Sequence, residues 1–471
     1  MDSISVPRLS HWNNQPAFQT LCNIVANDRL VCLTGAGISR TLKRKANSAK
    51  TLPTWWELLD ELRGMFPAST SIDREDVDQL LMADAPGEWL IQAATILRRD
   101  QPEKFDDAVR KALEVVDGDT SPAHTAIAAL NPRGIMTFNY DMGHENAMPP
   151  GDLGSWKTIS PQNEQTMLDL MKSDFSTRFL LKAHGSLECG ERLILDIESY
   201  RGLLVKSPTY RAFVGWLLTH FNLLIVGFGM SDPDFEEFLR LISVEIGGPV
   251  REHVLVTKAS SQTPEQILLR RRYGIFTLQL GDWSEITKVL NDALIEPGER
   301  MREMMRDCTA QDISLRRRAH RSLMHLSVPG RRMVSNALRS QLTSAIANRD
   351  VRVASELIYS LGSLGRDPEN KALLLQLLDS SNHREIVAHA ALALDGMLEA
   401  DDTATLERNL ATHAPTPHSR VDHNFPDPDN RIPIYLAYLI AKNRRRAAET
   451  RPEISNVPMP FCVTVQPRLM E

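Results

Sequence analysis

Seven short apolar runs punctuate residues 30–280: Leu30 to Thr34, Gly134 to Thr137, Phe179 to Ala183, Leu193 to Leu195, Leu223 to Val226, His253 to Thr257 and Ile275 to Leu280. Several hold four to six aliphatic and β-branched residues, too few for an independent helix and apolar on both faces, as strands covered from two sides require. Helical patterns separate them, among them Thr54 to Arg63, Glu88 to Arg99, Lys104 to Val116 and Phe235 to Ile246. This alternation predicts an α/β domain with a Rossmann-like, doubly wound parallel sheet over residues 1–297.

After about residue 300 the strand signals stop. Apolar residues recur at helical spacing in Ala354, Leu357, Ile358, Leu361 and Leu364, and again in Val387, Ala390, Ala391, Leu394 and Met397, offset by 33 residues. Ala319, Leu323 and Leu326 precede Ala354, Ile358 and Leu361 by 35. An all-α, HEAT-like helical-repeat domain is expected over 298–411, where each helix pair buries its face on its neighbours. Residues 412–471 read as a loop to about 432, a last helix from Ile434 to Ala448, and a tail.

Composition narrows the class. With 42% hydrophobic and 24% charged residues the chain of 471 can bury one large core or two moderate ones. A net charge of −6 gives no bulk attraction to nucleic acid or an acidic membrane, so no direct partner of either kind is expected. Five scattered cysteines contain no C-x-x-C pair, which argues against a zinc ribbon or a disulfide framework; no metal is expected and a reducing cytoplasm fits. The N-terminal stretch lacks a signal-peptide pattern, and no run approaches eighteen apolar residues.

Chemistry is expected where strands end. After Leu30 to Thr34 comes Gly35-Ala36-Gly37-Ile38-Ser39, a glycine turn read as opening a helix. Such a turn lets backbone approach a phosphate, and a helix start adds a dipole worth about 0.3–1 kcal/mol to a bound anion. Thr137-Phe138-Asn139-Tyr140-Asp141, Ala183-His184-Gly185-Ser186 and Gly227-Phe228-Gly229-Met230-Ser231-Asp232-Pro233-Asp234 each follow another run. In open α/β folds ligands bind at that edge of the sheet. Taken singly, each segment also has a plain structural reading: a tight turn, an Asx turn, a packed histidine, a helix N-cap.

In this order, strand-G-A-G-I-S, P-T-W, T-x-N-Y-D, H-G-S and G-x-x-x-x-D-P-D resemble a bacterial sirtuin-like domain over roughly residues 15–297. The chain is more similar to the branch found in antiphage defence than to the protein-deacylating sirtuins. The deacylases' zinc cysteines are missing, and Leu52-Pro53-Thr54-Trp55-Trp56 replaces their G-I-P-D-F-R stretch. The resemblance implies NAD as substrate and an NAD glycohydrolase that releases nicotinamide and ADP-ribose, restrained until infection. It implies that Ala36, Gly37 and Ile38 line the pyrophosphate through backbone N–H groups, extended by Ser39, with Gly35 opening the same cofactor-binding turn. Asn139 would position the attacking water, Asp141 would hydrogen-bond ribose or carboxamide, and His184 would be the general base. An unperturbed histidine pKa of about 6.5 suits that role. Gly227, Gly229, Ser231 and Asp232 would form the adenosine side.

Two other functions are compatible with the same residues. One is a regulatory module that binds NAD or ADP-ribose without turnover. The other, which the missing cysteines disfavour, is a protein deacylase. A homo-oligomer is expected, and a HerA-type ATPase or another defence-system protein is the kind of partner implied. The basic loop from Arg40 to Lys50 reads either as a lid over phosphates that orders on NAD binding or as a solvated, disordered insertion.

Overall fold

The computed structural model describes residues 11–66, 71–82, 87–99, 102–148, 156–173, 177–187, 193–228, 250–258, 264–381, 383–412 and 428–449. The expected helix Phe235 to Ile246 lies outside them.

Seven strands form one sheet: β1 (Leu30–Thr34), β2 (Gly134–Thr137), β3 (Trp156–Ile159), β4 (Arg178–Lys182), β5 (Asn222–Val226), β6 (His253–Thr257) and β7 (Ile275–Gln279). Their spatial order is β3-β4-β2-β1-β5-β6-β7, and every pairing is parallel. Strands β1, β5 and β6 are buried at all five positions, which is why they carry no polar alternation. Helices cover both faces. Pro16–Val25, Pro122–Ala129 and Ile286–Ile295 pack around Leu21, Ile127, Leu224 and Val289 on one side. Glu164–Lys172 and Pro208–His220 pack around Met167, Phe213, Leu217 and Leu181 on the other.

The sheet corrects two sequence readings. Leu193 to Leu195 is not a strand; Leu193 and Leu195 are fully buried in a third core with Leu58, Leu62, Leu97 and Phe105. That core belongs to the helices Trp55–Met65, Ser71–Leu80, Gly87–Arg99 and Pro102–Leu113, inserted between β1 and β2. The run is apolar because helices surround it. Its backbone is satisfied without a ladder: Arg98 donates to the Leu193 carbonyl at 3.1 Å, the Tyr140 hydroxyl to that of Ile194, and the Ile194 amide to the His184 carbonyl at 3.1 Å. Conversely, the edge strand β3 was invisible because its Lys157 and Thr158 are exposed, so no apolar run marks it.

Register explains how the site is assembled. Thr34 of β1 stands opposite Thr137 of β2 and Val226 of β5, and Thr137 stands opposite Lys182 of β4. Four strands therefore end level. The chain reaches β2, β3 and β4 on one side of β1 before returning to β5 on the other, so the topological switch lies between β1 and β5.

By its contacts the chain forms two compact units, residues up to 303 with 325–333, and residues 304–324 with those from 334 onward. Among the described residues the second unit is all helical, including Ile313–Leu323, Val351–Ser363, Pro368–Ser380, Arg384–Ala393 and Thr403–Thr412. Ala354, Leu357, Ile358, Leu361, Val387, Ala390, Ala391 and Leu394, picked out by spacing, are all buried there. The last helix runs Pro428–Glu449, so it begins before the expected end of the loop. Among the described residues no helix is long and apolar enough to cross a membrane.

Candidate functional site

The residues that follow the four level strand ends line one cleft, whose empty volume including its open mouth is about 780 Å³. Gly35, Ala36 and Ser39 contribute from β1, Phe138, Asn139, Tyr140 and Asp141 from β2, His184 from β4 and Phe228 from β5. Opposite them stand Leu52, Pro53, Thr54, Trp55 and Leu58, at the start of the helix Trp55–Met65. Thr54 fixes that start with a capping box: its hydroxyl accepts from the Glu57 amide, and Glu57 accepts from the Thr54 amide at 2.6 Å.

The glycine turn differs from its expected form. Only a single 3-10 turn, Ala36–Ile38, follows β1, so no helix dipole acts there. Gly35 N–H donates to Val226 O, Gly37 N–H to Gly227 O, Ile38 N–H to Gly35 O and Ser39 N–H to Ala36 O. Among the described residues, the Ala36 N–H makes no hydrogen bond. One amide of the turn, rather than three, is open to an anion, and Gly37, Ile38 and Gly227 are not part of the cleft wall.

The glycines serve mainly the approach of two turns. A Cβ on Gly35 would lie 2.8 Å from Gly227 O, and one on Gly37 would lie 2.9 Å from the Gly227 Cα. Gly227 itself has φ +84°, and a Cβ there would lie 2.7 Å from Gly35 O. Gly227→Ala adds left-handed strain to backbone overlap, so urea unfolding should show a loss of about 2–4 kcal/mol. A loss under about 1 kcal/mol would mean that the two turns can separate freely.

Asn139 is held on both flanks. Its Nδ2 donates to Gly35 O at 3.0 Å and to Ser39 Oγ at 2.9 Å, and its own amide donates to Thr137 Oγ1 at 3.1 Å. The donors are consumed internally, which leaves Oδ1 as the acceptor for a ligand or water. Asp141 is 6% exposed and accepts from the Gly143 amide at 2.8 Å. His184 is 3% exposed, edge-on to Phe138 at 4.9 Å and to Tyr200 at 5.2 Å between ring centroids.

Residues 133–278 match the family model of the SIR2-like domain. The matched stretch runs from just before β2 into β7 and contains Asn139, Asp141, His184 and Gly227. The chain carries a sirtuin-like domain. Defense-associated sirtuin 2 of Bacillus subtilis is 24% identical over 219 residues, covering 46% of this chain and 19% of that protein. The chain thus spans about a fifth of the length of the curated relative it matches.

Within the sirtuin-like domain, burial pushes the His184 pKa down to about 3, well below the 6.5 assumed from sequence. The imidazole is neutral throughout the physiological range. A second polar group lies behind the cleft. Ser121 Oγ donates to the Ile38 carbonyl at 2.9 Å, so His124 Nδ1, 2.7 Å from that hydroxyl, carries the proton and donates. His124 packs edge-on to His144 at 4.6 Å, and His144 Nε2 meets Thr34 Oγ1 at 2.9 Å. These residues tie the helices Pro122–Ala129 and Gly143–Ala147 to β1 and its turn.

Sequence reading missed Ser121, His124, His144, Tyr200 and Lys182, none of which stands in a recognisable motif role. Gly229, Ser231 and Asp232 lie outside the described residues. The basic loop is anchored: Arg44 pairs with Glu61 at 2.6 Å and is 8% exposed, while Lys45 reaches Glu114 and Asp117, each at 3.0 Å. Backbone bonds from Arg44 N to Lys50 O and Lys45 N to Glu114 O fix it further, so the loop is ordered, although among residues 40–50 only Leu42 and Arg44 are buried. Among the described residues no cluster of three histidine, cysteine or acidic side chains could hold a metal.

Proposed function

We propose that the cleft hydrolyses NAD to nicotinamide and ADP-ribose, as the effector of a bacterial antiphage defence. The observation that supports this best is the convergence of Asn139 and His184 on one cleft beside the Ala36 amide, in a domain similar to a defence-associated sirtuin. In the reaction the bond between ribose C1′ and the pyridinium nitrogen breaks, nicotinamide leaves neutral, and water oxygen bonds to C1′. One proton is released. Asn139 Oδ1 accepts a hydrogen bond from the attacking water, and neutral His184 accepts from that water or a ribose hydroxyl. An uncharged imidazole also avoids placing a cation beside the oxocarbenium-like sugar. The Ala36 amide and Ser39 serve the pyrophosphate, with Gly229, Ser231 and Asp232 on the adenosine side.

Constitutive NAD loss would kill the host, so the reading includes restraint by a homo-oligomer or by a partner such as a HerA-type ATPase. Mass spectrometry of the chain assembled with its partner and trigger and incubated with NAD tests it: equimolar nicotinamide and ADP-ribose are expected, with no dependence on an acyl-lysine peptide. A second reading has one specific support, since a histidine pushed to about 3 is a weak base. In that reading NAD or ADP-ribose binds and is sensed unchanged. Calorimetric binding with intact ligand in every assembly state would favour it.

A further inference from the structure

Lys182 is the last residue of β4, two residues before His184, and it is 1% exposed. Its ammonium lies behind the cleft rather than in its wall. It donates to the backbone carbonyl of Asp141 and to Glu145 Oε1 at 3.1 Å, the latter from the helix Gly143–Ala147. One side chain therefore crosses from the strand that carries His184 to the loop that carries Asn139 and Asp141. Stability does not account for this arrangement. Glu145 Oε2 is buried with no hydrogen-bond partner among the described residues, and a buried ion pair left incomplete gains nothing over two packed apolar side chains.

We infer that Lys182 is a positioning residue: through the Asp141 carbonyl it sets the Asn139–Asp141 segment against the end of β4, so that Asn139 and His184 address the same water. The inference rests on the hydrolase reading above. It adds no chemical step and places no proton on the substrate. Its effect is geometric, and a displacement near 1 Å at a reacting water costs roughly 100-fold in rate.

The test uses the full chain as wild type, Lys182→Met, and Lys182→Met/Glu145→Leu. The single variant leaves a carboxylate buried alone and should melt at lower temperature. The double variant replaces the pair with apolar side chains and is expected to recover much of that loss. It should bind NAD within about threefold of wild type by calorimetry while kcat stays about 10–100-fold down. Recovery of kcat along with the melting temperature would overturn the role and reduce Lys182 to packing. Should the double variant not recover its stability, Lys182→Arg decides, because it keeps a donor for the Asp141 carbonyl. A kcat above that of Lys182→Met supports the role, and one no better overturns it. A wild-type chain that binds NAD and turns it over in no assembly state, partner and trigger included, removes the hydrolase reading and this role with it. Wild-type turnover beside an undiminished double variant removes the role alone.

Discussion

Lowering the pH from 7 to 5 is expected to cost the sheet unit on the order of 6 kcal/mol of folding stability. Its cause is a set of histidines buried without charge. Burial pushes His124 and His253 to about 4 and His184 to about 3, and it lowers His144 in the same direction. In the unfolded chain each titrates near 6.5, so between that value and its folded pKa the unfolded state binds more protons and stability rises with pH. The contribution is complete above 6.5 and is lost as pH falls towards 4. At pH 5 this amounts to about 2 kcal/mol for each of His124, His184 and His253. His253 shows the structural reason, since its Nδ1 accepts from the Leu223 amide at 3.1 Å, a bond that protonation at Nδ1 would break.

Urea unfolding followed by tryptophan fluorescence reads this unit by itself, because all seven tryptophans fall within residues 12–283. His253→Gln should remove about a third of the pH dependence. A loss below about 1 kcal/mol at pH 5 would mean that these rings accept protons in the folded state.

The second large effect concerns His184. Its replacement by alanine should lower NAD turnover by about 10²–10⁴-fold, the usual range for loss of a positioned proton acceptor. The pH profile should be distinctive. With the pKa at about 3, turnover between pH 6 and 8 should show no rising arm near 6.5 that disappears in the variant. Such an arm in the wild type, absent from His184→Ala, would show that ligand binding raises the imidazole pKa by several units. The aromatic surround formed by Phe138, Tyr140 and Tyr200 makes a void in the alanine variant, so its fold must be checked by the same fluorescence assay.

Much of this was legible in the sequence because central strands of a parallel sheet leave a strong trace. β1, β2, β4 and β5 fall where apolar runs stood, and their level ends bring together the polar segments that followed them. The edge strand β3 left no trace because its exposed side chains are polar. Leu193 to Leu195 left a false one, because burial among helices gives the same apolar signature as burial in a sheet. At the site, Asn139, Asp141 and His184 were legible as polar residues at strand ends. What they are bonded to was not. The glycine turn looked like a helix opening, and only the packing of Gly227 against Gly35 and Gly37 shows that its amides are mostly consumed. The burial that keeps His184 neutral is shared by Tyr200, which is sixteen residues away and in no motif. Lys182 could not be distinguished from any polar residue closing a strand.

Nucleotide measurements in bacteria that express the full chain and are challenged with a panel of phages test the chemistry of the cleft most directly. Where the chain protects, NAD should fall while nicotinamide and ADP-ribose rise together, and Asn139→Ala should abolish both the rise and the protection. Protection with NAD unchanged, or an Asn139→Ala chain that still depletes it, would contradict the claim that this cleft hydrolyses NAD.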